Sequence, residues 1–187
     1  MKFCRYICAA TSIGAVHFLN PETFEVIKIW QAHPTEVHDM DAHNNYLVTC
    51  GKAPRLYGPQ MLEHFAKVYD LQKLQQLSPI NFPGGAAFVR IVPKLSTTAI
   101  IATQTGRLQV VDLMNPDTVN LHQADVACIR TLTLAPSGSA WAMLDQDNTI
   151  RLWGGSREKL RFAEHPNPTE FADEISPMAP MGLDSDL

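Results

Sequence analysis

The sequence predicts an all-β chain, a β-propeller fragment of about four blades followed by a disordered C-terminal tail. Three observations lead there. Similar segments recur at near-equal spacing along the chain. The apolar runs between turn signals are five to seven residues long, too short for ordinary helices. Several of those runs are apolar on both sides, as in Ala99-Ile100-Ile101-Ala102, where a sheet with one wet face would alternate. Sheets stacked around an axis bury both faces.

The repeat is carried by Ala66-Lys67-Val68-Tyr69-Asp70-Leu71, Leu108-Gln109-Val110-Val111-Asp112-Leu113 and Thr149-Ile150-Arg151-Leu152-Trp153-Gly154. Aligned on Asp70, Asp112 and Trp153, the copies stand 42 and 41 residues apart. A weaker copy, Ala15-Val16-His17-Phe18-Leu19-Asn20, aligns Leu19 with Asp70 at 51 residues. The excess is an insertion rich in turn formers, Gly51-Lys52-Ala53-Pro54-Arg55-Leu56-Tyr57-Gly58-Pro59-Gln60. A period of about 40–45 residues is that of a four-stranded propeller blade.

Within the periods the predicted strands follow in order. The second unit reads Val37–Ala42, Tyr46–Cys50, Phe65–Leu71 and Leu77–Phe82. The third reads Phe88–Val92, Thr98–Thr103, Arg107–Leu113 and Val119–Gln123, and the fourth Ile129–Leu134, Ala140–Leu144, Thr149–Trp153 and Lys159–Ala163. Asn-Asn, Thr-Gly, Asn-Pro and Pro-Ser-Gly clusters between them are hairpin signals. The blades are placed near 1–30, 31–82, 83–123 and 124–165, giving a partial propeller over 1–165. A Pro-rich linker is predicted over 166–187, where His165-Pro166-Asn167-Pro168 opens a stretch without alternation.

Composition bounds the function. Hydrophobic residues make up 45% and charged ones 18% of the 187, which favours a packed core over disorder. A net charge of −4, with no basic run longer than two residues, argues against electrostatic capture of nucleic acid. The stretch Phe3–Ala10 is broken by Arg5 and is no clean secretory signal, and no run reaches the about 18 apolar residues of a membrane span. The four cysteines lack paired metal spacing and read as reduced, structural thiols. A cytoplasmic location with no membrane association is expected.

Candidate chemistry is sparse. In His38-Asp39-Met40-Asp41-Ala42-His43, alternation sets His38 on one strand face and Asp39, Asp41 and His43 on the other. The group could hold a metal, but a strand and the turn after it, with solvated polar ends, is the favoured reading. Asp145-Gln146-Asp147 lacks the further carboxylates a two-metal nuclease site requires. No nucleophile elbow is present, and Pro83-Gly84-Gly85-Ala86 lacks the Lys-Ser/Thr of a phosphate loop. No catalytic residue, cofactor site or metal site is predicted. Candidate partner contacts are Arg55 and Tyr57 in the insertion Gly51–Glu63, residue types enriched at binding hot spots. The competing reading is a tolerated surface insertion. Phe171, in Asn167-Pro168-Thr169-Glu170-Phe171, is a third candidate, as a docking anchor or part of an inert tether.

The fourth unit, Leu134-Ala135-Pro136-Ser137-Gly138 through Asp147-Asn148-Thr149-Ile150-Arg151-Leu152-Trp153, resembles a WD-repeat blade. That resemblance assigns Asp147 to the turn before the third strand, bonded near Trp153, and matches the blade-entrance histidine with His33. The third and fourth units have no such histidine, so the repeats are degenerate. In order along the chain, Val37–Gly51, Ser96–Ile100, Val110–Pro116, Leu134–Gly138 and Asn167–Phe171 resemble the N-terminal propeller of the poly(A)-specific ribonuclease catalytic subunits of PAN deadenylation complexes. The resemblance implies a non-catalytic scaffold module acting in mRNA poly(A)-tail shortening and mRNA decay, with the exonuclease domain outside this chain. It implies a pseudokinase-like regulatory subunit as partner, through propeller or linker, and indirect contact with poly(A)-binding protein and mRNA. It also implies about seven blades in the full ring, so further blades are expected upstream of Met1 and the outer blades are expected to expose apolar faces. The alternative is an independent WD-repeat adaptor not linked to RNA decay.

Overall fold

The computed structural model describes residues 5–155 except Ser96 and Ala127, together with the backbone but not the side chains of Thr118 and Val119. The described residues form antiparallel sheets, and no helix occurs among them. The first sheet is β1 (Ile7–Ala10), β2 (Ala15–Leu19) and β3 (Val26–Gln31), in that order. The second runs β4 (Val37–His43), β5 (Tyr46–Ala53), β7 (Phe65–Asp70) and β8 (Gln75–Gln76). Two short strands adjoin it: β6 (Met61–Leu62) pairs with β5, and β9 (Ile80–Asn81) with β7. The third is β10 (Phe88–Ile91), β11 (Thr98–Ala102), β12 (Arg107–Asp112) and β13 (Asn115–Gln123). The fourth is β14 (Ile129–Leu134), β15 (Ala140–Asp145) and β16 (Ile150–Gly154). The predicted strand Lys159–Ala163 and the boundary near Pro166 lie outside the described residues.

Two predicted strands differ. The run Leu77–Phe82 is not one strand: Leu77–Pro79 is a gap after β8, where Pro79 has no N–H to give a ladder, and only Ile80–Asn81 pairs, as β9. The last strand of the third sheet begins at Asn115 rather than Val119, and a bulge at Val111/Asp112 lets it take up the ladder early.

Strand alternation explains the doubly apolar runs. Ile101 is buried in the cluster joining the second and third sheets, with Val48, Val68 and Val111. Its neighbour Ile100 points the other way, into the cluster joining the third and fourth sheets with Leu108, Leu132 and Met143. The first and second sheets meet over aromatics: Tyr69 stacks on Phe18 at 4.9 Å between centroids and lies 4.8 Å from Trp30. Each such side chain contributes about 1.5–3 kcal/mol by leaving water. Every joint is therefore a sheet face on a sheet face, as blades require.

The turns follow local chemistry. Asn44 takes φ 52° between β4 and β5, a left-handed conformation that asparagine tolerates. Gly106 takes φ 87° before β12, and a Cβ there would stand 2.6 Å from the Ala124 carbonyl oxygen. Glycine is required at that turn on both counts.

Candidate functional site

The insertion is a hairpin carried by β5. Lys52 and Ala53 pair with Leu62 and Met61, so the two strands extend the second sheet and lift the intervening loop into solvent. At its tip Leu56 is 96% and Tyr57 91% exposed, and Arg55 is exposed beside them. The structure thus places two of the candidate contacts together. Phe171 lies outside the described residues.

The root of the hairpin is a buried polar cluster. His33, on the loop between β3 and β4, is 1% exposed; its Nδ1 meets a carboxylate oxygen of Glu63, and its Nε2 lies 2.9 Å from Thr49 Oγ1. A carboxylate only accepts when ionised, so the arrangement has Nδ1–H donating to Glu63 while Nε2 accepts from the Thr49 hydroxyl. Burial pushes the His33 pKa below its ordinary value and outweighs the Glu63 hydrogen bond that pulls it up. Gly51 belongs to the same cluster, because a Cβ there would overlap the His33 ring. His33 was legible from its place at the blade entrance. Thr49 and Glu63 were not, since nothing local marks them as its partners.

The titratable run on β4 has a structural use. Asp39 Oδ2 accepts the Val89 N–H at 3.0 Å, and Asp41 Oδ2 accepts the Ile91 N–H at 2.9 Å. His43 Nε2 lies 2.9 Å from the Pro93 carbonyl oxygen, which requires Nε2 to carry the proton. Residues at steps of two on β4 thus bind backbone at steps of two on the next blade. Arg90 adds an ion pair to Asp39. The predicted face assignment corresponds to this zipper, and the polar groups serve the joint rather than solvent. Among the described residues no three His, Cys, Asp or Glu side chains gather as a metal site.

The remaining blade positions lie at turns. Asp70 Oδ1 accepts the N–H groups of Gln72 and Lys73, at 2.8 and 3.0 Å. Asp112 Oδ1 accepts that of Met114 at 3.0 Å, and Asn20 Oδ1 those of Glu22 and Thr23. Pairing sets Asp70 opposite Tyr46, Asp112 opposite Thr98 and Gly154 opposite Ala140, so Gly154 rather than Trp153 is their counterpart. Trp153 corresponds to Tyr69 and Val111 and pairs with Trp141. In the fourth sheet the turn is organised by Asp145, not Asp147. Asp145 is 1% exposed, accepts the N–H groups of Asp147 and Thr149 at 3.0 Å and lies 3.2 Å from Arg151 Nε. Those bonds, the Thr149 N–H first, hold its carboxyl below the usual range, while Asp147 is exposed.

Beneath the hairpin a cavity of about 350 Å³ is lined by His38, Lys52, Met61, His64 and Gln104. It continues to a second hollow sharing His38 and Gln104, bordered by Arg90 and Arg130. Both open where strands β4, β10 and β14 begin, on the side that carries the hairpin. Burial lowers the His38 pKa, helped by Lys52, so this histidine is neutral at pH 7.

Comparison with known proteins fits this architecture. The chain is 46% identical over 187 residues to the PAN2-PAN3 deadenylation complex catalytic subunit PAN2 of Phaeosphaeria nodorum, covering 98% of this chain and 16% of that protein. The namesake protein of Coccidioides immitis is 50% identical over 184 residues, covering 98% of this chain and 15% of its own length. This chain therefore spans about one sixth of the curated relatives it matches. Among solved structures, the Neurospora crassa Pan2 WD40 domain superposes with a TM-score of 0.74 at 36% identity, covering 82% of this chain and 48% of that one. The family model described as PAN2 N-terminal matches residues 2–154, and the chain belongs to that family.

Proposed function

We propose that this chain is a non-catalytic interaction module of a PAN2-PAN3-type deadenylation complex, acting in poly(A)-tail shortening. The observation that carries this is the family match over residues 2–154 together with what the acidic residues do. Asp39, Asp41, Asp70, Asp112 and Asp145 all accept backbone N–H groups, and Glu63 holds His33. These carboxylates are committed to the fold. In this reading poly(A) hydrolysis belongs to other parts of the assembly.

The module presents its hairpin tip, Arg55, Leu56 and Tyr57, to the PAN3-type pseudokinase-like subunit. An aromatic and a guanidinium on a loop with an ordered root suit a contact that loses little freedom on binding. Contacts with poly(A)-binding protein and mRNA are indirect, in a cytoplasmic particle, and Phe171 supplies a second anchor from the Pro-rich segment. A pulldown with the pseudokinase-like subunit tests this: the chain is retained, and Arg55→Ala with Tyr57→Ala weakens retention at least about tenfold. Unchanged retention removes the hairpin from the interface. Metal-dependent poly(A) degradation by this chain alone would overturn the non-catalytic reading.

A further inference from the structure

A groove of about 400 Å³ lies at the rim of the joint between the second and third sheets. Both of its walls are internal to the stack, with the first sheet beyond one and the fourth beyond the other. One wall is Pro79, Phe82 and Pro83, around β9; the other is Arg107 and Gln109 of β12 with Leu121 of β13. Gln109 is 3% exposed, yet among the described residues its side-chain amide has no hydrogen-bond partner. The equivalent side chains are paired. The ladder register that matches Asp70, Asp112 and Gly154 makes Lys67 and Arg151 its counterparts. Lys67 Nζ donates to the Ala32 carbonyl, and Arg151 Nε to Asp145. Phe82 holds the place of Ala32, since the Phe82 N–H bonds to His64 as that of Ala32 bonds to Gly14. Pro83 therefore stands where the earlier joint has His33, and Gln109 is left lining open space.

An unpaired amide at that depth is unfavourable in the free fold, and a ligand that bonds both its ends removes the penalty. The Gln109 oxygen accepts and its nitrogen donates, the complement of the N–H and C=O of one extended residue. Arg107 bonds the Pro83 carbonyl at 3.5 Å and no carboxylate among the described residues. Asp117 marks the other end of the groove. Arg107 pairs with Gln123, whereas Asp117 lies between Asn115, opposite Asp112, and Val119, opposite Val111. That separation is roughly four strand residues, or about 13 Å. Between the two charges the lining is apolar, with Phe82, Leu121 and the prolines. We propose that this groove binds an extended peptide segment of a partner protein. The segment carries an acidic side chain at the Arg107 end and a basic one at the Asp117 end, and one of its residues pairs with Gln109 through its main chain. Nucleic acid would bring negative charge to both ends and fits the gradient poorly. The groove shares no lining residue with the cavity beneath the hairpin, so it is a second contact, independent of the hairpin tip.

NMR titration of the full 187-residue chain tests the proposal. The probes are two end-blocked peptides, Gly-Glu-Leu-Thr-Leu-Lys-Gly and its reverse Gly-Lys-Leu-Thr-Leu-Glu-Gly, which cover both chain directions. One of them is expected to shift the Gln109 side-chain amide resonances and saturate with a dissociation constant below about 1 mM. Arg107→Gln and Gln109→Met each raise that constant at least about tenfold. Gln109→Met also leaves the urea midpoint unchanged or higher, because an apolar chain of the same length replaces an amide the fold does not pair. Arg55→Ala with Tyr57→Ala leaves peptide binding as it is, which separates this groove from the hairpin contact. The proposal is overturned if neither peptide moves Gln109 at about 1 mM. Equal affinity for a peptide with Gln in place of both charges overturns it too, as does binding indifferent to both groove substitutions. A lowered urea midpoint in Gln109→Met does the same, because the amide would then serve the fold.

Discussion

The joint between the second and third sheets and the joint between the third and fourth share one hydrophobic plan and differ in their polar seal. Asp41 and Arg90 hold equivalent places, each opposite the third residue of the following strand, Val48 and Ile100. Each reaches across to the backbone of the next blade's first strand. Asp41 accepts an N–H from Ile91, whereas Arg90 Nε donates to the Leu132 carbonyl at 2.9 Å. The first joint adds Asp39 and His43, making a three-rung zipper, and the second shows one rung. A propeller can therefore close its inner strands with either polarity of side chain, provided the edge backbone groups find partners. This explains how the blades tolerate degenerate sequences.

Seven substitutions and one acid titration test that comparison. The largest effects are expected in the shared part. Ile101→Ala in the first joint and Leu132→Ala in the second each lose about 2–4 kcal/mol in urea unfolding, since both side chains are fully buried. A gap above about 1 kcal/mol between them would break the claim of a common apolar plan. Next comes the seal: Asp41→Ala leaves the buried Ile91 N–H without its acceptor and costs about 2 kcal/mol, and Asp41→Asn restores about half. Arg90→Met loses the Leu132 bond and the Asp39 ion pair at a half-buried site, at about 1–2 kcal/mol. Equal losses from Asp41→Ala and Arg90→Met would show that polarity and rung number are irrelevant.

Acid should separate the second and fourth sheets. The His33 and His38 pKa values are lowered in the fold, so the unfolded chain binds more protons below the ordinary value of 6.5. Stability then rises with pH across that window and falls as pH drops from 6.5 toward 5, with a slope up to about 1.4 kcal/mol per pH unit for each histidine. Asp145 has the same sign of linkage, because its folded carboxyl also binds fewer protons than the unfolded one, but in a more acidic window. Its lowered carboxyl pKa keeps its contribution until pH falls below the ordinary 3.8. Hydrogen exchange during acid titration should open the second sheet first, and His33→Gln should flatten the slope near pH 6. The smallest effect is His43→Leu, about 0.5–1.5 kcal/mol, for one partly exposed bond to Pro93.

Much of this was legible from the chain alone, and what was missed has a common cause. The period, the strand order and the doubly apolar faces came from local pattern, because a buried sheet must put apolar groups at both parities. The one-residue slip at Trp153 arose because a large aromatic draws the alignment, while backbone pairing with Ala140 fixes the place of Gly154. The WD-repeat resemblance points to Asp147 where the turn uses Asp145. Both lie in one turn, and the Asp145 carboxylate is the one that folds inward onto the Asp147 and Thr149 N–H groups. The partners of Asp39, Asp41 and His33 on other strands lie 16 to 51 residues away, where sequence spacing carries no signal.

The hairpin on β5 separates two demands that often compete. Its base is fixed by Glu63, His33 and Gly51, whose loss would disturb the second sheet, while Arg55, Leu56 and Tyr57 touch nothing the fold relies on. In the proposed contact role, substitutions at the tip would change recognition with almost no effect on folding, so selection on binding could act there independently of selection on stability.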